Sequence, residues 1–267
     1  MKRKMVAFIS AAALLTALLA GCGGTGGQSE PPSTPPAPVS GEPAQGEELP
    51  TLEHNTDAAD APTVYMTTDI SPEGLMATYE ALNWTPTGSV AVKLSTGEPP
   101  NSNYLRPELI KDVVQAVDGT IVECNTAYGG KRSSTAMHYQ VAEDHGFTAI
   151  ADVVILDENG SMTIPVSGGT HLSENYVGEH FADYDSYLVL SHFKGHAMAG
   201  FGGAIKNISI GLGSQEGKCV IHTGGASHDS PWGGDQTAFT EFMAEAGKAV
   251  SDYLGNGENI VYINVMN

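Results

Sequence analysis

Residues 187–207 read YLVLSHFKGHAMAGFGGAIKN, a short apolar segment that leads directly into a loop rich in glycine, histidine and lysine. An apolar run of this length, followed by glycines, is typical of a buried strand. In α/β folds, ligands bind where such strands end in glycine-rich loops. The stretch therefore predicts an α/β fold with a ligand site at the end of the strand over residues 187–190.

Strand and helix patterns alternate along the rest of residues 63–267. The strand patterns cover 64–67, 89–94, 120–124, 152–156, 162–166, 187–190 and 260–265. The helix patterns cover 71–82, 107–117 and 133–145, and a last helix runs from its cap at Asp235 to its end at Gly255, with apolar residues from 239 to 250 on its buried side. Ser71 and Pro72 predict the start of the first helix, and Asp235 is the expected cap of the last. The polar turn at 157–160 predicts a hairpin between the fourth and fifth strands. This alternation predicts one α/β domain with a mainly parallel sheet, helices on both faces and one β-hairpin.

The first 22 residues resemble a bacterial lipoprotein signal peptide. Lys2, Arg3 and Lys4 precede an apolar segment that is short for a membrane span, and Leu-Ala-Gly-Cys at 19–22 resembles a lipobox. The resemblance implies that Cys22 is acylated, with a lipid such as palmitate, and becomes the new N-terminus. An uncleaved transmembrane anchor is the alternative. We expect a protein at the cell membrane, lipid-anchored on the extracytoplasmic face.

Residues 23–62 are rich in glycine, proline, serine and glutamate and show no apolar periodicity. Such a segment buries too little apolar surface to offset the entropy lost on ordering it. We therefore expect a disordered tether between the lipid anchor and the domain.

The charge and the cysteines exclude several function classes. The formal net charge is −19 at pH 7, whereas nucleic acids are bound by basic surfaces, so we expect no nucleic acid partner. With Cys22 acylated, only Cys124 and Cys219 remain, and the sequence leaves open whether they pair. Two cysteines are too few for an iron–sulfur cluster in this chain alone.

The glycine-rich loop carries the candidate chemistry. His192 and His196 flank Lys194, and Lys206 and His222 follow. The loop lacks the residues that flank the lysine of a P-loop and the glutamate of a zinc-binding H-E-x-x-H helix. Imidazoles at these positions suit metal ligation or proton transfer, and the pKa of a lysine there would fall on burial. The alternative is that these side chains only form hydrogen bonds with the loop backbone.

The spacing of this loop resembles the core of the lactate racemase family, through His196, Gly200, Gly202, Gly203, Lys206 and His222. The resemblance implies that Lys206 covalently carries a nickel pincer nucleotide and that His222 ligates the nickel. It also implies that His196 transfers a proton. Lys131, next to Arg132, stands where that family has a second proton-transfer histidine. We place His192 beside His222 in the predicted metal site.

A closer resemblance, to domain-of-unknown-function family 362, covers nearly the whole domain. The matching motifs are Val-Lys-Leu at 92–94, Gly-Glu at 97–98, Tyr-Leu-Arg-Pro at 104–107, Asn-Thr-x-Tyr-x-Gly-x-Arg at 125–132, His-Gly-Phe at 145–147, Ser-His-x-Lys-Gly-His at 191–196, Gly-Phe-Gly-Gly-Ala-x-Lys-Asn at 200–207 and Gly-Lys at 217–218. Members are often joined to ferredoxin-like iron–sulfur modules, which implies an iron–sulfur protein as a partner. Members usually continue into a cysteine-rich segment, so we expect this chain to be a C-terminally truncated member.

Three function hypotheses follow. The first is an enzyme with a cofactor or metal site that acts on a small anionic substrate, held by Lys93, Arg106 and Arg132. The alternative for these cations is a structural role in ion pairs or turns. The second hypothesis is a non-catalytic surface module that binds a small anion or a metal. The third is a redox partner of a separate iron–sulfur protein.

Overall fold

Five parallel strands form the central sheet of the computed structural model, which describes residues 62–266. The strands of these residues are β1 (Val90–Lys93), β2 (Thr120–Glu123), β3 (Val153–Ile155), β4 (Ser161–Pro165), β5 (Glu174–Gly178), β6 (Ser186–His192), β7 (Lys194–His196), β8 (Gly200–Gly202) and β9 (Ile260–Val265). The central sheet has the order β3-β2-β1-β6-β9. The predicted signal peptide over 1–22, the acylation site at Cys22 and the tether up to residue 61 lie outside the described residues.

The α-helices cover both faces of this sheet, which confirms the predicted fold class. They are α1 (Pro72–Ala81), α2 (Pro107–Ala116), α3 (Thr135–Asp144), α4 (Ala204–Ser209), α5 (Gln215–His222) and α6 (Phe239–Tyr253). Side chains alternate between the two faces of a strand. Ala91 and Tyr187 therefore pack in one core with α4, α5 and α6, whereas Val92 and Leu188 pack in the other with α1, α2 and α3.

The N-terminus of α1 is the one that the sequence predicts. The Ser71 hydroxyl accepts a hydrogen bond from the Gly74 N–H at 3.0 Å, and Pro72 occupies the first helical position. The predicted cap of α6 is wrong, because this helix begins at Phe239. The Asp235 carboxylate instead accepts hydrogen bonds from the backbone and side chain of Thr237, in the turn before the helix. α4 and α5 have no counterpart among the predicted helices.

The predicted pairing of the hairpin is wrong, although the structure contains antiparallel hairpins. β3 pairs in parallel with β2, and β4 pairs antiparallel with β5; β7 and β8 form a second two-stranded unit. The predicted strand over 64–67 is also wrong: these residues are irregular, and Val64 and Met66 are 86% and 88% exposed. A turn and an apolar alternation are local signals, whereas a strand also needs a partner brought by tertiary packing.

Cys124 and Cys219 are both buried and unpaired, which answers the question that the sequence leaves open. The Cys124 thiol donates to the Leu212 carbonyl at 3.3 Å, and burial raises the pKa of this thiol to about 12. Cys124 therefore stays protonated and packs as a small apolar side chain.

Among residues 62–266, no helix is long and apolar enough to cross a membrane.

Candidate functional site

A cavity of about 240 Å³ lies at the carboxyl ends of β1, β2 and β6. The chain leaves β1 toward β2 on one side, and it leaves β6 toward β9 on the other. Adjacent strands whose connections diverge in this way form a topological switch point, the usual ligand site of open α/β sheets. Lys93, Glu123 and His192 are the last residues of their strands and line the cavity. The predicted position of the site, at the end of the strand over 187–190, agrees with this cavity.

The cavity concentrates the positive charge of an acidic chain. The described residues contain nine lysines and arginines, and five of these line the cavity: Lys93, Arg132, Lys194, Lys206 and Lys218. Glu123 is the one carboxylate among the lining residues. Cations clustered in a cleft with low-dielectric walls attract anions strongly, even when the net charge of the protein is negative.

Glu123 organises one wall of this cavity. Its buried carboxylate accepts hydrogen bonds from the backbone and hydroxyl of Thr96 at 2.8 and 2.7 Å and from Arg132 at 3.1 Å. His138 lies 3.2 Å away and the Lys93 ammonium 3.7 Å away. Burial alone would raise the pKa of Glu123, but Arg132, Lys93 and His138 outweigh burial and hold it well below its ordinary value. Glu123 therefore stays ionised and neutralises part of the charge of this wall.

Lys93 is fully buried behind the same wall. Its ammonium donates to the Leu94 carbonyl at 2.6 Å and to the Asn207 side-chain oxygen at 2.8 Å. Burial lowers the pKa of Lys93 to about 8, against the opposing effect of Glu123. A Cβ at Gly211 would lie 2.8 Å from this ammonium and 2.1 Å from the Asn207 carbonyl, so only glycine fits there. The hydrogen bonds of the Lys93 ammonium are therefore made mainly with other groups of the protein.

Lys206 differs from Lys93 because no carboxylate among residues 62–266 forms an ion pair with it. It projects from α4 and is half-buried. Burial, and then the charges of Lys218 and Lys194, lower its pKa to about 8. A substantial fraction of Lys206 is therefore a neutral, nucleophilic amine near physiological pH.

The family model described as Domain of unknown function (DUF362) matches residues 90–267, which include every residue that lines the cavity. The chain belongs to the DUF362 family. No curated protein matches it.

Among solved structures, the DUF362 chain is similar to the lactate racemase apoprotein from Thermoanaerobacterium thermosaccharolyticum, with a TM-score of 0.45 and 16% identity. The match covers 74% of this chain and 49% of that protein, so the DUF362 chain matches about half of its length.

The predicted proton-transfer and metal residues are only partly gathered at the cavity of the DUF362 chain, and His222 reaches it through contacts with the lining residues Tyr128 and Lys218. His192 and His196 line it, as do Gly202 and Gly203. His222, at the end of α5, directs Nδ1 at the Lys218 carbonyl (2.8 Å), and its Nε2 lies 2.9 Å from the Tyr128 hydroxyl. Burial lowers the pKa of His222 to about 4, although the bond to Lys218 opposes this, so His222 is neutral.

A metal would need a rearrangement at His222, because the protein already engages both of its ring nitrogens. Within the described part of the chain, no group of three or more histidine, cysteine, aspartate or glutamate side chains is arranged to hold a metal ion. The residues present therefore do not fit a metal held by the protein alone. The metal role of His192 and His222 stays a prediction.

Within the described residues, four predicted site residues of the DUF362 chain are absent from the cavity lining: Lys131, Arg106, Gly200 and His222. Lys131 is exposed, and its backbone N–H donates to Glu98 at 2.6 Å. Arg106 is exposed too, with its guanidinium carbon 4.5 Å from the centre of the Tyr104 ring. Their binding and catalytic roles stay predictions.

Among the charged lining residues, the sequence analysis does not single out Glu123 and Lys218 as part of the site. Glu123 does leave a signal in the sequence, since it is a charged residue within the apolar strand pattern over 120–124. Lys218 lies on α5, where its ammonium donates to the Gly213 carbonyl at 2.5 Å. This helix was not predicted, so the sequence could not place Lys218 in the cavity.

Proposed function

We propose that this chain is a lipid-anchored extracytoplasmic protein whose cavity binds a small anionic substrate or cofactor, with Lys206 as its reactive amine. The observation that carries the proposal is the convergence of five cations and one carboxylate at the switch point of the sheet. Because Glu123 already interacts with Lys93 and Arg132, the positive charge of Lys206 and Lys194 is left for the ligand.

The chemistry of Lys206 supports an enzyme-type site. Its neutral form is a nucleophile for a carbonyl group or an activated cofactor, and its protonated form is a charge for an anion. The resemblance to the lactate racemase family adds covalent attachment of a nickel pincer nucleotide at Lys206. The Lys206 amine fits such an attachment, whereas the histidines of the described residues do not form a ready metal site.

A second candidate function is a non-catalytic module that captures a small anion at the cell surface. The observation that favours it is the position of Lys131, which is exposed and absent from the cavity lining. The cavity then lacks the second proton-transfer group that the racemase resemblance implies.

Inorganic phosphate tests the anion site. We expect the purified native chain to bind one phosphate, with a dissociation constant of about 1 mM or lower at low ionic strength, because several cations share one small cavity. Isothermal titration calorimetry measures this, with glycerol as the neutral control. A matched variant, Lys248→Ala, removes an exposed lysine that pairs with Asp252, and it should bind phosphate as the native chain does. Absence of saturable binding would contradict the anion site.

Substitution of Cys22 tests the lipid anchor. We expect the full chain to enter the membrane fraction of a bacterial expression host and to incorporate labelled palmitate, because acyl chains bury apolar surface in the bilayer. Cys22→Ser should abolish the label, and Cys124→Ser is the matched control because that thiol is buried. Labelled Cys22→Ser protein would contradict acylation at this residue.

A further inference from the structure

The hairpin of β7 and β8 determines which nitrogen of His196 carries a proton. The backbone N–H groups of Met198 and Ala199 both donate to His196 Nδ1, at 3.3 and 3.2 Å. A neutral imidazole has one nitrogen that donates and one that accepts. Because Nδ1 accepts from the hairpin, the proton of neutral His196 is on Nε2.

The neutral state of His196 is favoured by its surroundings. Burial, and then the positive charges of Lys206 and Lys194, lower the pKa of His196 below its ordinary value. Protonation of Nδ1 would also end both hydrogen bonds from the hairpin backbone. His196 lines the cavity, and its Nε2 has no hydrogen-bond partner among residues 62–266. This N–H is therefore the polar group that His196 offers to a ligand.

We infer that His196 is a hydrogen-bond donor with a fixed tautomer, and that it binds an anionic oxygen of a carboxylate or phosphate ligand beside Lys206 and Lys194. This inference rests on the proposed anion site and specifies the class of its ligand. An anionic oxygen accepts from Nε2–H, whereas a ligand that presents an N–H group would face a second donor. Together with the positive charges of Lys206 and Lys194, His196 thus favours an oxyanion, and this binding role differs from the proton-transfer role that the sequence predicts for it.

His222 provides an internal reference within the same chain. Its Nδ1 faces the Lys218 carbonyl, which only accepts, so this nitrogen carries the proton. Its Nε2 then accepts from the Tyr128 hydroxyl at 2.9 Å. The two histidines are therefore expected to have opposite tautomers.

Long-range ¹H–¹⁵N correlation spectra of the histidine-labelled chain at pH 7.5 test the tautomers directly. We expect the Nε2–H pattern for His196 and the Nδ1–H pattern for His222, with each signal assigned by its loss in His196→Gln and His222→Gln. An Nδ1–H pattern for His196 would overturn the inference, whether or not any anion binds.

Two substitutions test the binding role of Nε2. In His196→Gln the amide nitrogen lies near the position of Nε2, whereas in His196→Asn it lies near that of Nδ1. We expect the phosphate affinity of His196→Gln to stay within about threefold of the native value and that of His196→Asn to fall about tenfold or more, as for the loss of one hydrogen bond to a charged group. Equal affinities of the two variants would overturn the donor role. If the native chain binds no phosphate, the proposed function and the ligand class both fail, and the spectra alone decide the tautomer.

Discussion

Replacing Glu123 by glutamine is expected to lower the free energy of unfolding by about 3–5 kcal/mol, the usual cost of removing one partner from a buried ion pair. Glutamine conserves the volume of the side chain but removes its charge. Lys93 is fully buried and Arg132 nearly so, and both would then lack their shared carboxylate. Urea denaturation followed by circular dichroism measures the change.

The matched control for this substitution is Glu98→Gln. Glu98 also forms an ion pair with Arg132, but its side chain is 29% exposed, against 6% for Glu123. A partly hydrated pair contributes little, so we expect a loss of about 1 kcal/mol or less. Adding Lys93→Met to Glu123→Gln should recover part of the lost stability, since it removes one buried charge. Similar small losses for Glu98→Gln and Glu123→Gln would show that Glu123 does not organise the wall.

The Glu123 prediction also has a defined pH dependence. The folded-state pKa of Glu123 lies well below the ordinary value of 4.5. Its stabilising contribution is therefore present above pH 4.5 and is lost as the pH falls toward the folded pKa. The difference in stability between the native chain and Glu123→Gln should narrow in that acidic range.

Replacing Lys206 by methionine is expected to abolish covalent labelling by pyridoxal 5′-phosphate and to weaken phosphate binding about tenfold or more. The probe combines an aldehyde with an anionic phosphate. The Lys206 amine adds to the aldehyde with loss of water, and borohydride then reduces the imine to a stable secondary amine. Labelling should increase as the pH rises through about 8, the pKa of Lys206, because the neutral amine is the nucleophile. Peptide mapping by mass spectrometry locates the label.

Lys206→Arg separates the charge of this residue from its nucleophilicity. Arginine keeps a positive charge, so phosphate binding should persist, but it forms no stable imine and the label should disappear. Within the native chain, the exposed Lys248 is the internal control, and pyridoxal without phosphate is the reagent control. Labelling of Lys248 as rapidly as Lys206, or equal labelling by the two reagents, would contradict a reactive lysine in an anion site.

The chemical state of Lys206 distinguishes the covalent-cofactor enzyme from the non-catalytic binding module. In protein isolated without oxygen from its own host, extra mass on the Lys206 peptide that survives denaturation would support a covalent-cofactor enzyme. An unmodified Lys206 that binds phosphate reversibly, without turnover, would support the binding module.

Much of the fold could be predicted from local patterns. β9 has the predicted bounds, Ile260–Val265, because five of its six side chains are apolar or aromatic and the polar Asn259 precedes them. Ser71 and Pro72 predict the start of α1 because a cap depends on neighbouring residues only. The same local rules failed for residues 64–67 and for the hairpin after β3, where the outcome depended on which strand lay alongside.

The candidate site was predictable in part. His192, His196 and Lys206 are close in sequence and do meet at the cavity, because one strand end and its glycine-rich loop carry all three. Lys131 and Arg106 were expected there on the basis of charge and resemblance, yet both are exposed outside it. Exposure follows from how a loop packs, which neighbouring residues in the sequence do not specify.

The sequence by itself determined the strands and helices with strong local patterns, the α/β class, the family and the loop that carries the chemistry. Only the tertiary structure decided that Glu123 joins Lys93 and Arg132 in one wall of the cavity and that Lys93 contacts Asn207, which lies 114 positions away in the sequence. Only the structure shows the burial and neighbouring lysines that lower the pKa of Lys206, and the backbone N–H groups that donate to His196 Nδ1. The physical reason is that apolar periodicity and helix caps arise from neighbouring residues, whereas desolvation, ion pairing and tautomer arise from groups that the parallel sheet brings together.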